Sequence, residues 1–215
     1  MESVNVVELS GSIVDVYTSS DYLAVTLSIK KYAGMAKGEQ NIKDYPRIVW
    51  YGEEAAKLSG AYAKYDYVNI TATVESSLIN KGGKPVRKQS FVGKTIERAK
   101  TKCENSFGVK PDVGDFTEYI NTVRLRGTVI QCFTPDDSPE YAKFVMKVAG
   151  NKSFSYPEIV CYGHIAEYVR SNLAADVPVS IIGTVQTYVK SLENGDRDHR
   201  MSIVCREIAI HKNEK

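Results

Sequence analysis

The sequence predicts an all-β chain made of two five-stranded Greek-key barrels in tandem, each with a short helix between its third and fourth strands. Three observations predict it: a segment that occurs twice, apolar residues at alternate positions through both copies, and one helix-compatible stretch after a glycine in each copy. Alternation with a period of two is the mark of a strand with one buried face. With 43% hydrophobic and 25% charged residues, the composition is that of a globular protein and excludes a collagen, a coiled coil or a disordered tail. The apolar runs are a few residues long, far short of the roughly 20 of a membrane-spanning helix, so no membrane association is expected. The first residues, Met1 to Asn5, have neither the basic nor the apolar region of a secretory signal, which makes the cytoplasm the expected location. Cys103, Cys132, Cys161 and Cys205 form no C-x-x-C pair and are expected as reduced thiols.

The elements follow in order. Asn5 to Val14 lies over Asn121 to Ile130, 116 residues later, with Val7, Leu9, Gly11 and Ile13 matched by Val123, Leu125, Gly127 and Val129. This is the first strand of each copy, and its internal glycine predicts a bend or bulge. The second strand is Val25 to Ile29, repeated as Phe144 to Val148. The third, Tyr45-Pro46-Arg47-Ile48-Val49-Trp50-Tyr51-Gly52, returns 111 residues on as Tyr156-Pro157-Glu158-Ile159-Val160-Cys161-Tyr162-Gly163. Glu53 to Leu58 and His164 to Asn172 are the short helices, and Val68 to Val74 and Val179 to Val185 are the fourth strands. Gly82-Gly83 and Asn194-Gly195-Asp196 predict hairpin turns into the closing strands, Gln89 to Ile96 and Met201 to Ile210. The predicted domains are 1–100 and 118–215. The linker at 101–117 contains Gly108, Pro111 and Gly114, and the two halves are expected to meet there. The longer loop of the first copy falls around Gly34 to Asp44.

This order of elements is that of the OB-fold, a small barrel that commonly binds oligonucleotides. The Asn-Val-Val-Glu-Leu-Ser-Gly start, the aromatic-x-Arg-Ile-Val-x-aromatic-Gly strand running into Glu-Glu-Ala-Ala, and the Val-Asn-Ile-Thr-Ala-Thr-Val strand together resemble the bacterial and phage single-stranded DNA-binding protein family. The second copy resembles it as closely through Tyr162 to Glu167 and Val179 to Val185. The resemblance implies noncatalytic coating of single-stranded DNA in replication, recombination or repair. It also implies a homodimer, since such assemblies usually present four barrels and this chain holds two. Two departures are visible. The chain stops at Lys215 without the family's acidic tail, which puts tail-mediated recruitment in doubt and would suit a phage or mobile-element origin. The turn before the fourth strand is Lys64-Tyr65-Asp66 in one copy and Ala175-Asp176-Val177 in the other, where the family typically has Lys-Gly.

A single strand is held by aromatic faces that stack bases and by cations along the phosphates. Alternation puts Tyr45, Arg47, Val49 and Tyr51 on one face of the third strand and Ile48 and Trp50 on the other, the core side. Tyr45, Arg47 and Tyr51 occupy positions that contact DNA in the resembled family. Tyr32, after Lys30 and Lys31, is either a stacking ring or an exposed turn tyrosine. In the second copy the face is Tyr156, Glu158, Val160 and Tyr162; Glu158 repels phosphate, so a weaker site is expected unless Tyr188, Phe154 and Lys152 compensate. For all these rings the alternative is that they fill the barrel. Residues 1–104 carry 15 Lys+Arg against 12 Asp+Glu, whereas 105–215 carry 13 against 14, so the first half is expected to dominate binding. The densest basic run is Lys81, Lys84, Arg87, Lys88, Lys94, Arg98, Lys100 and Lys102, opposed only by Glu97; Lys84, Arg87 and Lys88 are its candidate phosphate contacts.

No catalytic, nucleotide-binding or zinc motif occurs, His164, His199 and His211 are dispersed, and neither enzymatic activity nor a cofactor or metal is expected. Stacking aromatics do not distinguish DNA from RNA, which leaves RNA open as a partner. The competing reading is an OB-fold adaptor with reduced or lost nucleic-acid binding, favoured by Glu158, Glu53 and the near-neutral second half.

Overall fold

The computed structural model describes residues 2–30, 43–81, 83–99, 120–191 and 197–211. The first copy contains β1 (Val4–Thr18), β2 (Tyr22–Lys30), β3 (Lys43–Asp44), β4 (Arg47–Tyr51), α1 (Gly52–Leu58), β5 (Tyr67–Lys81) and β6 (Lys84–Arg98). The second contains β7 (Asn121–Phe133), β8 (Tyr141–Ala149), β9 (Phe154–Ser155), β10 (Glu158–Tyr162), α2 (Gly163–Asn172), β11 (Pro178–Ser191) and β12 (Arg197–Ile210). Each copy closes into a barrel: β1 pairs with β2 and β5, β2 with β4, β4 with β6 in parallel, and β6 with β5; β7, β8, β10, β12 and β11 close the same way. This is the predicted OB topology, with two-residue strands β3 and β9 added. The hairpin strands β5, β6, β11 and β12 are far longer than their alternating segments. Their outer halves stay paired beyond the barrel, as from Glu75↔Ser90 to Lys81↔Lys84.

The predicted linker lies outside the described residues. Among those described, the halves meet along β1 and β7, which run antiparallel from Val4↔Arg126 to Leu9↔Asn121. Val7 faces Val123, its own counterpart in the repeat, so a local two-fold axis passes between them. β1 serves three partners: β7 and β5 along its first half, then β2 from Ser12 onward. Gly11 sits at that change of partner, where a Cβ would come 2.7 Å from the Ser28 carbonyl oxygen. The bulge comes slightly later, between Ile13 and Asp15, and the glycine serves close approach rather than the bulge itself.

Matched polar contacts fix the matched copies. The Asn5 side chain donates to the Val74 carbonyl at 2.9 Å and accepts from the Val74 amide at 2.8 Å, while Asn121 does the same to Val185 at 2.9 and 2.8 Å. Each asparagine extends a backbone ladder past its last residue pair, which keeps buried main-chain groups satisfied. The turns before β5 and β11 differ in sequence but take the same left-handed step, at Tyr65 (φ 77°) and Asp176 (φ 64°). Both bond back to the first strand, Tyr65 N–H to Ile13 O at 2.8 Å and Asp176 N–H to Val129 O at 2.9 Å. The Ala63 N–H, and then the Arg98 guanidinium, hold the Asp66 carboxyl below the usual carboxylate range.

The cores are filled by the inward sets predicted from alternation, including Ile48, Trp50, Phe91, Phe144 and Ile159. They differ at one matched site. β4 and β6 pair at Ile48↔Phe91 and Val49↔Val92, and the next step brings Trp50 against Gly93, where any Cβ would overlap the indole. β10 and β12 pair at Ile159↔Ile203 and Val160↔Val204, and the next step brings Cys161 to Cys205, both buried. A large ring facing no side chain is thus replaced by two small thiol side chains that meet each other. Contact with Cys205, and then burial, push the Cys161 thiol well above its ordinary range.

Gly93→Ala is expected to destabilise the chain by about 1–3 kcal/mol through overpacking against Trp50, read from urea unfolding. An unchanged midpoint would show that the indole has room to move.

Candidate nucleic-acid interface

In β4, Arg47 and Tyr51 are exposed while Ile48 and Trp50 are buried. Val49 lies on the side of Arg47 and Tyr51 but is only 6% exposed, paired with the buried Ala24, so the predicted open row is interrupted between them. After Tyr51 the chain must leave the barrel wall and enter α1, which it does through Gly52 at φ +60°. The Gly52 amide donates to Asp21 O at 2.7 Å, fixing the end of β4 to the start of β2. Tyr22 is therefore placed directly across from Tyr51. Their ring centroids are 5.5 Å apart, and Tyr17 lies 6.0 Å from Tyr22 on the far side. Tyr17 and Tyr51 are 53% and 55% exposed, so these rings extend from the wall rather than fill it. Burial and then Tyr22 raise the Tyr51 hydroxyl's pKa, against the nearby Arg47, and the ring stays neutral at physiological pH.

The second copy builds the same row. Tyr141 faces Tyr162 at 5.7 Å, and Gly163, at φ +55°, donates to Glu140 O at 2.8 Å. Phe133 occupies the position of Tyr17 and is 51% exposed. Arg170 of α2 donates to the carbonyls of Pro135, Ser138 and Tyr141, bracing the loop that delivers Tyr141.

Between the rows, each copy's hairpin reaches across the two-fold axis to the other's third strand. The Tyr156 amide donates to Ser76 Oγ at 2.6 Å and the Glu158 amide to Gln89 Oε1 at 3.1 Å. In the other direction the Tyr45 amide donates to Thr187 Oγ1 at 2.8 Å and the Arg47 amide to Met201 Sδ at 3.2 Å. Ser76 and Thr187 are counterparts in the repeat, as are Gln89 and Met201, so the exchange is reciprocal.

The predicted residues thus fall into three groups. Arg47 and Tyr51 come together in the first row, and Tyr162 lies in the second, with Tyr188 near enough to Tyr141 to help raise its hydroxyl's pKa. Arg87 joins Tyr156 across the copies, its Nη1 donating to the Tyr156 carbonyl at 3.0 Å and its guanidinium 5.3 Å over the ring. Tyr45 is 48% exposed and Lys88 is exposed on its hairpin. Lys31 and Tyr32 lie outside the described residues, as do the side chains of Lys30 and Lys84. The basic run does not act as one patch: Arg98 is taken up by Ala61 O at 2.8 Å and the Asp66 carboxylate at 3.1 Å. Sequence reasoning missed Tyr17, Tyr22, Phe133 and Tyr141. The available signal was an aromatic at matching positions at the end of the first strand and the start of the second. Among the described residues, no group of three or more His, Cys, Asp or Glu is placed to hold a metal, and no helix is long and apolar enough to cross a membrane.

Among solved structures, the wild-type single-stranded DNA binding protein of Thermus aquaticus matches 100% of this chain over 96% of its own, with a TM-score of 0.69 and 14% identity. A deletion variant of that protein matches 100% of this chain over 97% of its own, with a TM-score of 0.71 and 13% identity. The likeness carries the tandem fold along the whole chain. No protein-family model and no curated protein matches the sequence.

Tyr51→Ala is expected to cost about 1 kcal/mol or less in urea unfolding, because half of the ring is already in water. Trp50→Ala, one residue away, is expected to cost about 3–5 kcal/mol. A cost for Tyr51→Ala near that of Trp50→Ala would make Tyr51 a core residue and remove it from the interface.

Proposed function

We propose that the chain binds single-stranded DNA without sequence preference and without catalysis, stacking bases on the two aromatic rows and tracking phosphates with adjacent cations. The observation that carries this reading is the pair of rows at matching sites of the two barrels, in which Tyr17 and Tyr51 flank the partly buried Tyr22, and Phe133 and Tyr162 stand half-exposed beside the partly buried Tyr141. A folded domain has little reason to keep four such rings half in water unless a planar partner covers them. The fold it shares with the Thermus protein, itself a single-stranded DNA binding protein, supports the same reading. Protection of single strands during replication, recombination or repair in the cytoplasm is the corresponding role. RNA remains a partner to test alongside DNA, since the rows carry no feature that reads the 2′-hydroxyl. The proposed division is a first domain at 1–100 and a second at 118–215, and a second copy of this chain is the proposed assembly partner.

The test is fluorescence anisotropy with labelled oligothymidylate of a few tens of nucleotides, matched oligouridylate and duplex DNA, at low and moderate salt. The expected result is tight binding of the single strand, little of the duplex, and weakening as salt rises. Tyr51→Ala and Tyr162→Ala are each expected to lose about 1–3 kcal/mol of binding. No binding at low salt would overturn the reading in favour of an adaptor whose barrels contact proteins. Sedimentation equilibrium is expected to give a mass near twice 23.9 kDa, and a single-chain mass would remove the dimer.

A further inference from the structure

We propose that the second barrel makes phosphate contacts of its own through Lys143 and Lys147 of β8, which supply from the second strand the charge that Arg47 supplies from the third strand of the first barrel. This rests on the functional reading above and concerns how its site is divided. Glu158 stands where the first copy has Arg47, which by sequence alone reads as a repulsive site. In the structure Lys143 Nζ is 3.0 Å from Glu158 Oε2. The matching positions of the first copy are Ala24 and Ser28, so both lysines are additions of the second copy. Arg47 gives one positive charge to its face, and Lys143, Lys147 and Glu158 together give the same net charge to theirs. The cation has moved one strand over.

Each lysine also stands beside an exposed ring. Lys147 Nζ lies 3.9 Å above the centroid of Phe154, and Lys143 Nζ lies 5.3 Å from that of Phe133. Phe154 and Phe133 are 55% and 51% exposed, neither filling the core. A cation over a ring that also faces water is the arrangement that holds a phosphate beside a stacked base. The Lys143–Glu158 pair is an open surface pair, with side chains 31% and 47% exposed, and such pairs hold weakly. The phosphodiesters of a strand laid along this face, each carrying one negative charge, can compete with Glu158 for Lys143. The occupant that fits is a single-stranded oligonucleotide continuing from the first barrel.

The experiment measures the affinity of oligothymidylate over a series of salt concentrations for four proteins: wild type, Arg47→Gln, the double variant Lys143→Gln/Lys147→Gln, and Glu158→Gln. Thermal melting of each checks the fold. The double variant is expected to bind about ten-fold more weakly at low salt, comparably to Arg47→Gln. Its log–log salt slope should be shallower by about 1.4, at roughly 0.7 for each phosphate that is no longer neutralised. Glu158→Gln should bind more tightly than wild type, a gain that damage to the fold cannot produce. If the double variant keeps the affinity and slope of wild type while Arg47→Gln weakens, the second barrel makes no such contact and this inference falls while the functional reading stands. If wild type itself does not bind, both fall together.

Discussion

Everything else in the molecule follows from one antiparallel pairing, that of β1 with β7 across the axis between Val7 and Val123. Each barrel on its own would expose one flank of its first strand, and an unpaired strand edge is a site for unwanted association. Pairing the two edges satisfies both at once and sets the barrels in a symmetric relation that the chain connection does not by itself impose. Once that relation is fixed, the long hairpins β5–β6 and β11–β12 lie over the opposite barrels, and Ser76 and Thr187 can cap the amides of Tyr156 and Tyr45. The aromatic rows then stand at equivalent places on either side of one axis.

The comparison of the two copies separates what geometry demands from what it tolerates. Asn5 and Asn121, Gly11 and Gly127, and the Tyr-Gly steps at Tyr51 and Tyr162 recur because each does a backbone task that few residues can do: extending a ladder, admitting a crossing strand, or turning into a helix with positive φ. The core accepts a change of filling at a matched site, as Trp50 with Gly93 gives way to Cys161 with Cys205. The surface accepts exchange when charge is kept, as Arg47 gives way to Glu158 together with Lys143 and Lys147 of β8.

What was legible in the sequence was local or repeated. The helices at Glu53 to Leu58 and His164 to Asn172 begin one residue earlier in the structure, and the third strands fall where the Tyr-Pro and Tyr-Gly motifs put them. The outer halves of the hairpins were not legible, because stretches such as Glu75 to Lys81 carry no apolar–polar alternation. Nor was the membership of the aromatic rows: Tyr22 meets Tyr51 only through the register of β2 against β4, which no spacing along the chain reveals. The role of Arg98 was hidden for the same reason, since its carboxylate partner, Asp66, stands 32 residues away.

The exchange of Trp50 and Gly93 for Cys161 and Cys205 leaves the two barrels chemically distinguishable in a way their shared fold conceals. The chain has a single tryptophan, and it is buried in the first barrel. Indole emission therefore watches the melting of the first core alone and is shielded from direct stacking by a base. The Cys161 thiol, sealed in the second core and held strongly protonated, becomes reactive only when that barrel opens. Emission and thiol labelling together can time the opening of each half separately in the unmodified protein.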